Sequence, residues 1–139
     1  MSDLTELITG LPCFKAPSNI TPLGGGITNT NVTVEDEDCK YVVRIGSDIA
    51  EHGVMRWNEL ALSQAAYQLG ISPKVIYHKT GVLVLEFIDA QTLNEAAVRE
   101  PGNLKRIINL VAKTHRGIGK CLHSPILTFW PFQINQTYM

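Results

Sequence analysis

The chain has 139 residues, of which 45% are hydrophobic and 18% are charged, the composition of one ordinary globular domain. Twelve lysine and arginine residues stand against 13 aspartate and glutamate residues, which gives a formal charge of -1. This balance excludes the strongly basic surface that nucleic acids or anionic lipids attract, so no nucleic-acid partner is expected.

Cysteine usage and apolar runs indicate a cytoplasmic protein. Cys13, Cys39 and Cys121 are odd in number and far apart, with no CxxC pair, so we expect reduced thiols and no metal site. The N-terminus lacks a basic stretch followed by an apolar run, and the apolar run 82–85 is too short to span a bilayer. The sequence therefore predicts no contact with a membrane.

In chain order, residues 1–19 form a weakly amphipathic lead-in with Pro12 and Pro17, and we expect it to be peripheral. Strand-like runs follow it. They lie at 20–23, 28–35 and 41–45, separated by the glycines at 24–26 and by the acidic residues at 35–38. This pattern predicts an antiparallel meander.

A helix is expected after the third strand. Asp48 and Glu51 have the spacing of a capping box, and apolar residues recur on one helical face between 55 and 69. Gly70 fits the residue that ends this helix. Two more strand-like runs, 75–78 and 82–87, are separated by a turn at 79–81, so the predicted sheet has five strands.

The last third of the sequence is helical and then aromatic. Thr92 and Glu95 have capping-box spacing, and apolar residues at 104, 107, 108 and 111 predict a second long helix that ends near Gly117. The chain closes with a group of aromatic side chains at Phe129, Trp130, Phe132 and Tyr138. Such a group normally packs against something, so association with another lobe or with a second copy through this tail is expected.

This order of elements resembles the N-terminal lobe of the kinase-like fold, in the branch of the choline/ethanolamine kinases and aminoglycoside phosphotransferases. The segment LGGGITNTNVTV resembles the nucleotide loop of that branch, YVVRI its third strand, NELALSQAAYQLGISPKVIY its αC helix and next strand, and VLVLEFIDAQTL its hinge. LTFWPFQI resembles a segment that precedes the catalytic core.

The resemblance implies an α+β fold and a division of the chain. The lead-in at 1–19 would precede a protein-kinase-like N-lobe at 20–91, made of a five-stranded antiparallel sheet and the αC helix. A linker and the first helical part of an incomplete C-lobe would occupy 92–139, so the chain is expected to be an N-terminal fragment or a truncated product.

The resemblance also implies an ATP site that begins in the glycine turn. Consecutive glycines let backbone N–H groups approach a polyphosphate without interference from Cβ atoms, and polar neighbours could add donors. The residues implied here are Gly24, Gly25, Gly26, Thr28, Asn29 and Asn31. Without the resemblance, the same glycines are better explained by a flexible β-hairpin turn.

Arg44 is the second implied contact with the nucleotide. A guanidinium among Val42, Val43 and Ile45 needs an anion if it is buried, and the resemblance assigns it phosphate oxygens and the carboxylate of Glu59. The alternatives are an edge-strand arginine that faces water and a solvated helix glutamate.

The implied adenine site lies at the hinge. Backbone groups of Phe87 and Ile88 would meet the adenine edge, and Val32, Ile45 and Leu85 would form its apolar walls. The alternative is a buried strand that leads into a loop.

No catalytic residue is assigned. Phosphoryl transfer of this type needs acidic residues for the acceptor hydroxyl and for Mg²⁺, and no aspartate follows Asp89. His115, Arg116 and Gly117 end a helix and are interpreted as structural. Mg²⁺ is therefore expected only in a complete enzyme.

The sequence thus predicts the nucleotide-binding part of an ATP-dependent small-molecule kinase that transfers phosphate to an alcohol such as choline or ethanolamine and is inactive alone. Thiamine, a sugar or an aminoglycoside remain open as acceptors. The competing hypotheses are a non-catalytic nucleotide-binding or interaction module derived from a kinase, and a truncated remnant without a role.

Overall fold

The structure is a computed structural model that describes residues 2–24 and 29–128. Its centre is an antiparallel sheet of five strands in the order β1-β2-β3-β5-β4. The strands are β1 (Ser18–Leu23), β2 (Thr30–Asp36), β3 (Cys39–Ile45), β4 (Val75–Lys79) and β5 (Val82–Glu86). The five predicted strand runs are confirmed, each to within two residues at its ends.

Within the described residues, four α-helices accompany the sheet. They are α1 (Ser2–Thr9), α2 (Arg56–Gln68), α3 (Glu95–Arg99) and α4 (Pro101–Gly117). Short 3-10 turns lie at Ala50–His52 and Ile118–Cys121. The protein is therefore α+β, with α2 inserted between the third and fourth strands as the sequence predicted.

The two faces of the sheet bury different sets of residues because side chains alternate along each strand. Val43 pairs with Val32 on one side and Val84 on the other, so all three share one face. Arg44, one residue on, pairs with Asn31 and Leu83 and so belongs to the opposite face. The main hydrophobic core lies on the Val43 face and contains Ile8, Leu11, Phe14, Val32, Val34, Val43, Val82 and Val84.

The N-terminal lead-in is part of this core, which corrects the expectation that it is peripheral. Ile8 and Leu11 are completely buried against the sheet. The chain after them is held by Asp36, which is buried at the end of β2 and accepts hydrogen bonds from the backbone N–H groups of Lys15 and Ala16. The spacing of the apolar residues in this weakly amphipathic segment does not predict its burial. The burial depends on the valines of the sheet, which are distant in the sequence.

The helix starts differ from the two predicted capping boxes. Asp48 does act as a cap, but its Oδ1 atom accepts from the backbone N–H of Arg56, at 2.7 Å, and α2 begins there. Asn94, not Thr92, caps α3 through a bond from the N–H of Ala97. Gly70 has φ +70°, as expected for the residue that follows a helix end.

The predicted long helix is preceded by a separate short one. Pro101 occupies the first position of α4, and Glu100 before it is extended, because proline disfavours a helical conformation in the preceding residue. Throughout the described ranges, no helix is both long enough and apolar enough to cross a membrane.

Candidate functional site

A cluster of three charged side chains joins the sheet to α2. Arg44, the second-last residue of β3, donates from Nη1 to Oε1 of Glu59 at 2.5 Å. Arg56, in the first turn of α2, donates from Nη1 to Oε2 of the same carboxylate at 2.8 Å. The pairing of Arg44 with Glu59 that the resemblance implied is present, and a second arginine shares the carboxylate.

The cluster is partly withdrawn from water. The side chains of Arg44, Glu59 and Arg56 are 34%, 19% and 15% exposed. Two guanidinium groups and one carboxylate leave one positive charge in excess. A half-buried surplus charge is costly unless an anion balances it, so the cluster has the electrostatic character of an anion site.

The pKa of Glu59 reflects this arrangement. Burial by itself would raise the pKa of the carboxyl group, but the hydrogen bonds from Arg44 and Arg56 together outweigh burial and hold the pKa below its ordinary value. Glu59 is therefore ionised at neutral pH and binds both arginines as a carboxylate.

Arg56 is fixed by contacts on several sides. Its Nε donates to the backbone carbonyl of Ser47 at 2.9 Å, and its own backbone N–H is capped by Asp48. The guanidinium also lies close to Gly46, where an added Cβ would stand 2.7 Å from Nη2. A Cβ at this position would displace the guanidinium, so Gly46 leaves room for Arg56 beside the segment that follows β3.

Several polar atoms beside the cluster are buried without a hydrogen-bond partner in the described part of the chain. They are Nε of Arg44, Nη2 of Arg56 and the Oδ1 atoms of Asn29 and Asn31. Asn31 pairs with Arg44 across β2 and β3, and Oδ1 of Asn29 lies 2.7 Å from the position that a Gly46 Cβ would take. Buried polar atoms are normally hydrogen-bonded, so these groups are those that a ligand or ordered water would satisfy.

A cleft of about 560 Å³ opens beside the cluster, between α2 and the turn that joins β4 to β5. Arg44, Glu59 and Arg56 form its polar wall, and Trp57, Leu60 and Leu83 contribute apolar surface. Its volume is in the range of small-molecule sites.

The other predicted turn residues are divided between the described and undescribed parts of the chain. Gly24 follows β1 and is exposed, and Asn29 and Asn31 lie at the start of β2 next to the cluster. Gly25, Gly26 and Thr28 lie outside the described residues, as do the aromatic residues Phe129, Trp130, Phe132 and Tyr138.

The hinge prediction needs a correction at Phe87. Its backbone N–H already donates to the carbonyl of Lys40 at 3.2 Å, and Nζ of Lys40 lies 4.6 Å from the centre of its ring. This N–H is therefore engaged within the protein. The carbonyl of Phe87 and the backbone of Ile88, whose side chain is exposed, are the groups left to meet a ligand edge.

Two of the three expected adenine walls lie on the wrong face of the sheet. Val32 belongs to the core under α1, and Ile45 packs against that core. Leu85 pairs with Val42 on the Arg44 face, so it alone of the three is on the side of the charged cluster. The error came from grouping residues by apolar character without the alternation that assigns each to a face.

Arg56 is the site residue that the sequence analysis missed. The signal for it was its spacing from Glu59, since residues three apart on a helix are neighbours. The sequence shows the pair Arg56 and Glu59, but it does not show that the same carboxylate also reaches Arg44.

A five-stranded antiparallel sheet with a helix after its third strand, joined to that strand by a partly buried ion pair, defines an α+β protein of kinase-like fold. The chain is similar to the solved structure of an ethanolamine kinase from Plasmodium vivax, with a TM-score of 0.61 and 24% sequence identity. The similarity covers 73% of this chain and 27% of that enzyme, so the chain corresponds to little more than a quarter of its length. At this identity the likeness shows the fold. No protein-family model and no curated protein matches the chain.

Proposed function

We propose that residues 20–91 are the N-terminal lobe of a kinase-like small-molecule phosphotransferase and that the chain binds ATP. The parent reaction would transfer the γ-phosphoryl group of MgATP to an alcohol such as choline or ethanolamine. The observation that carries this proposal is the bond between Arg44 on β3 and Glu59 on α2, beside an excess of positive charge. The kinase-like fold supports it.

The proposed roles follow from position. The turn of Gly24, Gly25 and Gly26 covers the phosphates, with Thr28, Asn29 and Asn31 as polar neighbours. Arg44 orients the phosphates and Glu59 holds Arg44. The carbonyl of Phe87 and the backbone of Ile88 meet the adenine. Residues 92–139 begin a second lobe, and the protein acts in the cytoplasm.

Nucleotide binding is tested with the chain itself. We expect MgATP to bind in isothermal titration calorimetry, and Arg44→Ala to weaken binding by about tenfold or more, as for a lost hydrogen bond to a charged group. The matched control is Arg99→Ala, which removes an exposed ion pair with Glu95 on α3 and should leave binding unchanged.

Equal affinities of the wild type and Arg44→Ala would contradict the assignment of Arg44. Absence of binding in the wild type, with the fold intact by circular dichroism, would contradict the proposed nucleotide site as a whole.

The chain alone should have no kinase activity, because its sequence contains no aspartate after Asp89 to serve the acceptor hydroxyl or Mg²⁺. A coupled assay for ADP, run with choline and then with ethanolamine, should show no release above the rate without acceptor. Release that depends on the alcohol would refute this part of the proposal.

A second candidate function is an interaction module without catalysis. One stripe of α4, formed by Leu104, Ile107, Ile108 and Val111, carries apolar side chains, and three of them are strongly exposed. An apolar stripe of this kind on a helix normally packs against another element. Self-association measured by sedimentation velocity tests this candidate.

A further inference from the structure

The carboxylate of Glu59 is divided between two arginines. Oε1 accepts from Arg44 and Oε2 accepts from Arg56, so the carboxylate meets each arginine through a different oxygen. A second bond from Arg44 would have to share Oε2 with Arg56. Arg44 is consequently held through one terminal nitrogen. Its Nε is buried and has no partner among the described residues.

The position of Arg56 does not depend on Arg44. Nε of Arg56 bonds to the carbonyl of Ser47, and its backbone N–H bonds to Asp48. The side chain passes directly over Gly46. These contacts fix the guanidinium from the segment between β3 and α2, so it can hold Glu59 as a rigid support.

An arginine and a carboxylate can also pair in a second, well-defined geometry. An arginine and a carboxylate with no other partner commonly form two parallel N–H···O bonds, in which both carboxylate oxygens face one guanidinium. In that geometry Glu59 would occupy a whole edge of Arg44. Fewer donors of Arg44 would then remain for any other anion.

We propose that Arg56 is a positioning residue: by holding Oε2 of Glu59, it restricts the bond between Glu59 and Arg44 to a single N–H and keeps the remaining donors of Arg44 open to a phosphate oxygen. This inference rests on the proposed nucleotide site, because the role that it gives to Arg56 is to keep Arg44 able to bind a phosphate. Arg56 acts through Glu59 and not by contact with the nucleotide.

The test is a double-mutant cycle on the chain, with affinity for MgATP and for tripolyphosphate measured at physiological salt. We expect Arg56→Ala to weaken binding about tenfold in the wild-type background, as for a lost hydrogen bond to a charged group. In the Glu59→Ala background the same substitution should change affinity less than about threefold, because residues that act through one partner are not additive. Arg56→Lys keeps a cation for Oε2 and should retain most of the wild-type affinity.

An equal loss in both backgrounds would overturn the inference, since Arg56 would then act independently of Glu59. A large loss in Arg56→Lys together with full loss in Arg56→Ala would point to direct contact with the phosphate and would also overturn it. Thermal unfolding of every variant shows whether a loss of binding follows a loss of fold.

A measurement without nucleotide separates this inference from the proposed function. The groups that face or line the site are Arg44 on β3, Arg56 on α2, Asp48 in the preceding loop, and His78 and Lys79 on β4. A carbon-13 titration of the Glu59 carboxyl should show a higher pKa in Arg56→Ala than in the wild type, because burial remains while one of two hydrogen bonds is lost.

The outcomes are then distinct. If the wild type bound neither MgATP nor tripolyphosphate but the Glu59 pKa rose in Arg56→Ala, the proposed function would fail and the hold of Arg56 on Glu59 would stand. An unchanged Glu59 pKa would overturn the inference even if MgATP bound.

Discussion

At the scale of single residues, Glu59 connects the sheet to α2. It lies 15 positions after Arg44 in the sequence, and the two meet because α2 lies on the face of the sheet that carries the side chain of Arg44. Burial of a carboxylate is unfavourable by itself, and two guanidinium groups reverse this cost. The arrangement makes the stability of the site depend on the ionisation of one group.

The pH dependence of stability has a defined sign. The pKa of Glu59 is lower in the folded protein than in the unfolded chain, so its contribution is fully present above the unfolded value of about 4.3. The contribution is lost as pH falls through the folded pKa. In urea unfolding from pH 7 to pH 3, we expect the wild type to be more stable than Glu59→Gln at neutral pH and the difference to shrink under acid conditions.

The control for this measurement is Glu95→Gln, which affects an exposed pair with Arg99. It should follow the wild type closely across the pH range, because exposed ion pairs contribute little. A difference between the wild type and Glu59→Gln that stayed constant down to pH 3 would contradict the role given to Glu59 ionisation.

At the scale of secondary structure elements, α1 completes the core. Its residue Ile8 is fully buried against Val32, Val34 and Val43, which no other described helix covers on that face. Exposure of these valines to water is unfavourable, so the cover that α1 provides stabilises the sheet. The lead-in and the sheet therefore share one core, although the sequence analysis expected the lead-in to be peripheral.

Removal of the buried side chain tests this view of α1. Ile8→Ala should lower the free energy of unfolding by about 2–5 kcal/mol, the range for a large-to-small substitution in a core. Ile76→Ala on β4 makes the same chemical change at a side chain that is 38% exposed and should cost much less. Chemical denaturation measures both, and equal small effects would show that α1 is dispensable for the fold.

At the scale of the whole molecule, one face of the sheet is covered by the hydrophobic core and the other carries the charged cluster. The valine face is sealed by α1, whereas the Arg44 face holds α2, the charged cluster and the adjoining cleft. Beyond the sheet, α4 adds an apolar stripe that the described residues leave largely uncovered. The charged cluster and the apolar stripe of α4 differ in chemistry, since the cluster attracts an anion and the stripe attracts apolar side chains.

The apolar stripe predicts association at high protein concentration. Ile108 lies within it and is 57% exposed, so Ile108→Lys should reduce any self-association seen by sedimentation velocity. Leu110→Lys places the same charge on an apolar residue that is 49% exposed on a different side of the helix. It should have a smaller effect. A wild-type chain that stayed monomeric over the whole concentration range would remove the support for self-association.

The sequence by itself determined the elements that rest on local patterns. Alternation and turn residues gave the five strands, helical periodicity gave α2 and α4, and Gly70 marked a helix end, because these features depend on neighbours within a few positions. The placement of Arg44 among Val42, Val43 and Ile45 also indicated that an anionic partner would be needed if the side chain is buried. The identity of Glu59 as that partner came from the resemblance to a family.

Only the tertiary structure decided which distant residues meet. It placed Val32 and Ile45 on the face that the core covers, buried α1, engaged the N–H of Phe87 with Lys40, and gave the carboxylate of Glu59 two arginines in place of one. Apart from the spacing of Arg56 and Glu59 on α2, none of these contacts has a local signature. They depend on strand register and on the packing of a helix across the sheet. The burial and the charge balance that decide them involve residues from the whole chain and not from a short window of sequence.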